Sequence, residues 1–231
     1  MPELLIGMTL GLWVIATAIG AYALSRQTWA AMAAADSLHA NARAVLRNIH
    51  EQAYLAGAGY LESVNSNEFS ISTTSGLAAV ENVSADSLTL SHWHAVDATD
   101  CVGNVNSTSD SVRNNYKLNT HKELTCKDLN GPGSTYQALA KGVEDFQVRY
   151  AQASVAAQTI QWKSADQVSA MSDVVAIEVC IRLASPRVVQ NSFNTHLTSI
   201  GCLGETIVAD GHLRRVFKQV SNLRNRTAVL L

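Results

Sequence analysis

An uninterrupted run without charge, from Leu4 to Leu24, stands almost at the start of the chain and restricts what the chain can fold into. As a helix rising about 1.5 Å per residue, it is long enough to cross a hydrocarbon layer of roughly 30 Å. A signal peptide has a shorter apolar region, of about 7–15 residues, behind a basic segment. A helix buried in a soluble core rarely runs so long without a charge. We therefore interpret residues 1–25 as the transmembrane half of an N-terminal helix.

The helical pattern continues beyond the apolar run. Residues 27–56 contain neither proline nor glycine and are rich in alanine, which favours helix. Apolar side chains recur there at helical spacing, at Leu38, Ala42, Val45, Leu46 and Ile49. Residues 26–57 are therefore predicted to form an amphipathic continuation of the same helix, with one apolar face available for packing.

The remainder, residues 58–231, is predicted to be a β-rich globular domain. Gly57, Gly59 and a polar stretch end the helical pattern. Strands are predicted within residues 87–94, 143–152, 173–185 and 212–223, of which the second and third show alternating apolar residues. The polar segments 101–115 and 127–137 are interpreted as connections. The predicted fold class is α+β, with the long helix packed on an antiparallel β-sheet.

Four cysteines lie in the β-rich part: Cys101, Cys126, Cys180 and Cys202. An even number suits two disulfides in an oxidising compartment, and four cysteines allow three pairings. We favour Cys101 with Cys126 and Cys180 with Cys202, because each pair closes a loop of moderate size. Four free cysteines in a reducing compartment are the alternative, and a zinc site is not favoured because no Cys-x-x-Cys pair occurs.

The sequence contains no arrangement of polar residues that indicates catalysis. It has neither a Gly-x-Ser-x-Gly turn nor a Gly-rich phosphate loop. His92 and His94 share a face of a predicted strand, but no third ligand is indicated, so we expect neither a metal nor a cofactor. A formal net charge of -2 gives no global attraction to nucleic acid. We therefore predict a protein without enzymatic activity.

The apolar segment contains two glycines that could serve helix packing and follows one acidic residue that an ordinary membrane anchor would not have there. Gly7 and Gly11 form a Gly-x-x-x-Gly pattern, which permits close contact between helices in lipid. Glu3 places a carboxylate at the edge of the lipid, which costs free energy unless a cation meets it. We predict that Glu3 is an assembly residue whose partner is a positive group on a neighbouring helix at the same depth.

The orientation signals in the sequence disagree. Arg26 follows the apolar run and Glu3 precedes it, which favours retention of the bulk of the protein inside the cell. The cysteines favour an oxidising compartment outside it. A basic leader preceding Met1 would remove the conflict.

These features together resemble a type IV pilin, and more narrowly a PilW-type minor pilin. That family carries a GF(T/S)LxELL motif at its leader peptidase site, and PELLIG at residues 2–7 is similar to the second half of the motif. The segments RQTW, LHANARAVLRNIHEQAYLAGAGY, DATDCVGN, ELTCKDLNG, VEDFQVRYA and HLRRVFKQVSNLRNR are similar to successive family segments. The resemblance implies a type IV pilin-like fold, and it implies that Glu3 neutralises the free amine of an adjacent subunit during assembly.

The first residues depart from the family pattern. The glycine and the three residues after it are absent, and Met1 stands where the family has the hydrophobic residue before the x-Glu pair. As written, the chain is not expected to be cut by a prepilin peptidase at the usual place. Either the sequence starts at a downstream methionine, or its start has been remodelled.

The resemblance implies a minor pilin that belongs to the filament-initiating or tip complex of a type IV pilus. Its partners would be other minor pilins and the major pilin, through the N-terminal helix, and a tip adhesin. Its location would be the bacterial inner membrane with a periplasmic domain, and then the pilus at or near the tip. The alternatives are a pseudopilin of a type II secretion system and a membrane-anchored periplasmic binding or sensor module.

Overall fold

The computed structural model describes residues 2–57, 85–93, 98–106, 111–131, 135–154, 157–188, 199–207 and 210–225. In chain order its helix and first strands are α1 (Pro2–Leu55), β1 (Ser87–Trp93), β2 (Ala98–Thr99), β3 (Val105–Asn106), β4 (Ser111–Leu118), β5 (Glu123–Asp128) and β6 (Gln137–Lys141). The later strands are β7 (Val143–Ser154), β8 (Thr159–Lys163), β9 (Val174–Val188), β10 (Ser199–Ile200), β11 (Thr206–Ile207) and β12 (His212–Asn222). Two short 3-10 helices, Ala165–Gln167 and Met171–Asp173, connect β8 to β9.

The helix α1 is continuous from Pro2 to Leu55 and therefore extends over about 80 Å. Side chains from Ile6 to Ala30 are exposed, and no described part of the protein covers them. By length and composition the helix could cross a membrane. The absence of proline and glycine from residues 27–56 explains why the second half continues the first without a break.

The second half of α1 packs on the strands through one stripe of side chains. The buried members of the stripe are Leu38, Ala42, Val45, Leu46, Ile49, Ala53 and Ala56. They recur every three or four residues, so they share one side of the helix. Arg47 and Glu51 lie off the stripe and form an ion pair of 2.8 Å in solvent.

Two four-stranded antiparallel sheets account for the longer strands within the described residues, where the sequence predicted one sheet. Sheet I has the order β1-β4-β5-β6, and sheet II has the order β12-β9-β7-β8. The pairs β2–β3 and β10–β11 form short ribbons. Both sheets contribute to one apolar core with α1, in which Phe146 and Ile181 are fully buried. The interpretation of residues 101–115 and 127–137 as connections was wrong in part, because β4 begins at Ser111 and β5 ends at Asp128.

Strand β12 of sheet II runs along the axis of α1. The rings of His39 and Phe217 are 5.0 Å apart, and Asn225 donates a hydrogen bond of 3.1 Å to the carbonyl of Ala56. These contacts advance toward the C-terminus on both elements, so β12 and α1 point the same way. We call the end of the domain near Ala56 the distal pole, because it lies opposite the exposed apolar half of α1.

Candidate assembly interface

Glu3, Gly7 and Gly11 lie on one side of the first three turns of α1, because they are spaced by four residues. The Glu3 side chain is exposed, and it lies in the first turn, where the helix dipole favours a carboxylate. A Cβ added at Gly7 or Gly11 would meet nothing within 4 Å. The arrangement is a carboxylate at the head of an open groove that another helix could enter.

The threonine hydroxyls of the apolar half of α1, at Thr9 and Thr17, are satisfied by the helix itself. Thr9 donates to the carbonyl of Ile6, and Thr17 donates to the carbonyl of Val14, each at 2.9 Å. In lipid a polar group needs such a partner within its own segment, because no water is present. These two threonines therefore do not prevent the segment from lying in a membrane or in a bundle of helices.

Large apolar side chains project from every side of α1 between Ile6 and Met32. The exposed set is Ile6, Met8, Leu10, Leu12, Trp13, Val14, Ile15, Ile19, Tyr22, Leu24, Trp29 and Met32. A patch of this size on a folded protein marks a membrane or protein contact. We therefore expect the first half of α1 to contact a membrane or another protein.

A buried polar network fixes α1 to sheet I. Asn48 donates to the carbonyl of Cys101 at 3.0 Å and accepts from the Tyr116 hydroxyl at 3.0 Å. Asn114 donates to the side chain of Gln52 at 2.8 Å and accepts from the Cys101 amide at 3.0 Å. Burial raises the pKa of Tyr116 strongly, so its hydroxyl remains a donor. The network holds the helix at one register against the sheet.

Two disulfides connect the short two-stranded ribbons of the domain to its two main sheets. Cys101 is joined to Cys126, with Cα atoms 6.3 Å apart, and Cys180 is joined to Cys202, with Cα atoms 5.8 Å apart. These are the pairs that the sequence analysis favoured. The first bridge ties the β2–β3 ribbon to sheet I, and the second ties the β10–β11 ribbon to sheet II.

A cluster of charged residues lies at the end of sheet II that faces the apolar half of α1. Glu144 accepts from Lys122 at 2.9 Å and from Arg214 at 2.6 Å, and Arg182 lies 3.6 Å away. Burial alone would raise the pKa of Glu144, but hydrogen bonds from Arg214 and Lys122 outweigh it and lower the pKa. A second carboxylate, Asp210, also bonds Arg214, and that bond lowers its pKa. Sequence reasoning missed this cluster because its members come from separate segments.

The histidine pair considered in the sequence is only partly described. His92 is buried on β1, and His94 lies outside the described residues. In the part of the chain that the structure describes, no three His, Cys, Asp or Glu side chains form a group that could hold a metal ion.

Comparison with known proteins identifies the family. A family described as type IV pilus-assembly protein W matches residues 108–225, which is just over half of the chain and includes all strands from β4 to β12. The chain belongs to this PilW family. The predicted resemblance is confirmed, and so is the fold class of one long helix with antiparallel strands.

Two further comparisons concern individual proteins. No curated protein matches this PilW-family chain. Among solved structures it is similar to a type IV-like pilin from Thermus thermophilus, with 16% sequence identity and a TM-score of 0.48. The similarity covers 83% of this chain and 97% of that one. Membership of a pilus-assembly family implies contact with other pilus components, and the exposed helix is consistent with a membrane anchor.

Proposed function

We propose that this PilW-family protein is a minor pilin, a structural subunit of the filament-initiating or tip complex of a type IV pilus. The observation that carries the proposal is the exposed apolar half of α1, with Glu3 at its head and an open groove at Gly7 and Gly11. The exposed apolar side chains of this helix need to be buried, and the helices of other pilins with the same fold would bury them. The protein acts by packing, and we infer no catalytic step.

Assembly moves α1 from lipid into a bundle of helices. The hydrophobic effect contributes little to that step, because lipid tails are as apolar as the helices, so close packing at the glycines and polar pairing supply the specificity. A carboxylate within lipid costs up to about 3 kcal/mol, less near the surface. An ammonium group about 4 Å away stabilises it by about 4 kcal/mol at an effective dielectric constant of 20. Glu3 therefore favours one register of neighbouring helices.

The proposal implies a sequence of locations. Before assembly the apolar half of α1 lies in the bacterial inner membrane and the β-rich domain lies in the periplasm, where the disulfides persist. After assembly the subunit lies at or near the pilus tip. Its partners are then the other minor pilins and the major pilin along α1, with a tip adhesin at the domain.

Replacement of Glu3 tests the role of its charge. Glu3→Ala should lower the number of pili per cell or exclude the subunit from sheared pili, whereas Glu3→Asp should retain part of the function. Glu51→Ala is the matched control, because it removes an exposed carboxylate from the same helix outside the apolar half. Normal piliation and normal incorporation of Glu3→Ala would contradict the proposal. Loss of protein secretion with intact twitching motility, on deletion of the gene, would instead indicate a pseudopilin.

A further inference from the structure

The two short ribbons have the same kind of turn between their strands. In the β2–β3 ribbon Thr99 pairs with Val105, and in the β10–β11 ribbon Ile200 pairs with Thr206. Each pair encloses a segment with cysteine at its second position and glycine at its fourth, DCVGN at 100–104 and GCLGE at 201–205. We call these segments the first and the second cysteine turn.

The same backbone hydrogen bonds close both cysteine turns. The amide of the first residue donates to the carbonyl of the fifth, at 2.9 Å in the first turn and 2.8 Å in the second. The amide of the fourth residue donates to the carbonyl of the first, at 3.1 Å and 3.3 Å. The fourth residues, Gly103 and Gly204, both have a φ of +88°, which glycine adopts at little cost. Both turns are therefore three-residue hairpin loops that end in a left-handed glycine.

A carboxylate completes each cysteine turn, but from a different position. In the first turn Asp100 precedes the cysteine and accepts a hydrogen bond of 2.9 Å from the amide of Val102. In the second turn Glu205 follows the cysteine and accepts a hydrogen bond of 3.0 Å from the amide of Leu203. Val102 and Leu203 occupy the same position, directly after the cysteine. The two turns thus bind the same backbone amide with carboxylates from opposite ends.

The residues at the first and fifth positions of a cysteine turn depend on each other. A Cβ added at Gly201 would lie 1.6 Å from Oε1 of Glu205, so the carboxylate occupies the space of a side chain there. In the first turn the fifth residue is Asn104, whose side-chain amide donates to the Asp100 carboxylate at 3.1 Å. Each turn therefore has one carboxylate, and its position decides which residue fits at the other end.

Each cysteine turn places its thiol against an inner strand of a sheet. Cys101 is bonded to Cys126 of β5, which lies between β4 and β6. Cys202 is bonded to Cys180 of β9, which lies between β12 and β7. The hydrogen bonds that close the turns involve no sulfur atom, so they do not require the disulfides. The turns therefore supply a reason for the observed pairing besides the length of the loops.

We propose that the cysteine turns are folding elements that close before oxidation and favour the native disulfides among the three pairings that four cysteines allow. A turn completed by its carboxylate keeps its thiol beside the thiol of the inner strand, which raises the effective concentration of one thiol at the other. The oxidised fraction of each bridge then depends on the carboxylate of its own turn. The inference goes beyond the proposed function, because it concerns how the domain acquires its bridges in an oxidising compartment.

Oxidation of a thiol pair needs an oxidant, and a small disulfide such as oxidised glutathione serves. One protein thiolate attacks a sulfur of the oxidant, which forms a mixed disulfide and releases one glutathione thiolate. The second protein thiolate attacks the protein sulfur of the mixed disulfide and releases the other glutathione thiolate. Two electrons pass from the cysteines to the oxidant, and the released thiolates take up the two protons. A closed turn favours the second attack because it holds the correct thiol nearby.

Equilibration of the full chain in detergent with reduced and oxidised glutathione tests the proposal. Differential alkylation and mass spectrometry give the oxidised fraction of each bridge. Glu205→Ala should lower the equilibrium constant of the second bridge about tenfold, as expected for loss of a hydrogen bond to a charged group, and leave the first bridge unchanged. Asp100→Ala should have the converse effect. Each bridge is thus the control for the other, and circular dichroism checks folding.

Further variants separate the turn from the ion pair of 2.7 Å between Glu205 and Arg182. Glu205→Gln keeps an oxygen for the Leu203 amide without the charge, so it should lower the constant by no more than about threefold. The double variant Gly201→Asp with Glu205→Asn gives the second turn the pattern of the first and should restore the constant. Gly201→Ala with Glu205→Asn is the matched control without a carboxylate, and it should remain about tenfold low.

Reoxidation of the reduced, unfolded chain supplies the second readout, because peptide maps then identify every pair formed. Glu205→Ala should give more non-native pairs of Cys202 than the wild type. The proposal is overturned by an unchanged second bridge in Glu205→Ala, by equal changes in both bridges, or by no rise in non-native pairs. Equal losses in Glu205→Gln and Glu205→Ala would assign the effect to the ion pair instead. A double variant no better than its control would refute the equivalence of the two turns.

Discussion

Replacement of Asn114 by leucine should destabilise the domain more than its position on a short polar strand suggests. Asn114 is completely buried, and its amide joins Gln52 of α1 to the backbone of Cys101. Leucine would leave the oxygen of Gln52 and the amide of Cys101 without partners in the core. Each orphaned group costs about 1–3 kcal/mol, so after the gain from burying leucine we expect a loss of about 2–4 kcal/mol.

The loss can be measured on the full chain in detergent by chemical denaturation under non-reducing conditions. In a thermal unfolding experiment on a domain of this size, a loss of about 3 kcal/mol in the free energy of unfolding would lower Tm by about 6–12 °C. The double variant Asn114→Leu with Gln52→Leu should recover part of the loss, because it removes one of the two orphaned groups. Arg47→Ala, on the exposed side of the same helix, should change stability by less than about 0.5 kcal/mol.

A loss below about 1 kcal/mol for Asn114→Leu would show that the network does not hold α1 against sheet I. Strict additivity of Asn114→Leu and Gln52→Leu would show that the two side chains are not coupled, since contacting residues ordinarily are.

Three further predictions concern charge, covalent bonds and helix contact. The pKa of Glu144 is lowered on folding, so its stabilising contribution is complete above the unfolded pKa near 4.5 and is lost as pH falls through the lower folded value. Glu144→Gln should therefore weaken the decrease of the unfolding free energy at acid pH, measured by denaturation at a series of pH values. An unchanged decrease would contradict the assignment. Replacing Cys101 and Cys126 together by serine should cost about 2–4 kcal/mol, measured by the same denaturation, whereas no loss would show that the bridge is dispensable. Gly11→Leu should leave the domain folded by circular dichroism yet reduce incorporation into pili, and normal incorporation would refute a close helix contact there.

The long helix was predictable from the sequence because its signals are local. Length without charge, absence of proline and glycine, and apolar spacing at positions such as Leu38 and Ile49 all act within a few turns. The structure buries both residues in the core, as the spacing predicts. Strands β7 and β9 were similarly visible, since Phe146 and Ile181 belong to alternating apolar rows.

Strand β4 was not predictable in this way, because its inward positions break the hydrophobic alternation. Asn114 and Tyr116 point into the core, where Gln52 and Asn48 of the helix satisfy them. A polar residue is buried at low cost when its partner is already in place, but the partner here is more than 60 residues away in the sequence.

The buried network also bears on how the ends of the molecule are coordinated. Moving α1 by one residue against sheet I would separate Asn48 from Tyr116 and Gln52 from Asn114, at about 1–3 kcal/mol for each buried group left unpaired. The helix between Glu3 and Asn48 is unbroken, so it fixes their separation at about 68 Å. In the proposed assembly, the depth of the Glu3 carboxylate in the membrane or helix bundle therefore determines the distance of the domain from it. In such a subunit, the position of Glu3 fixes the position of the distal pole through the unbroken helix.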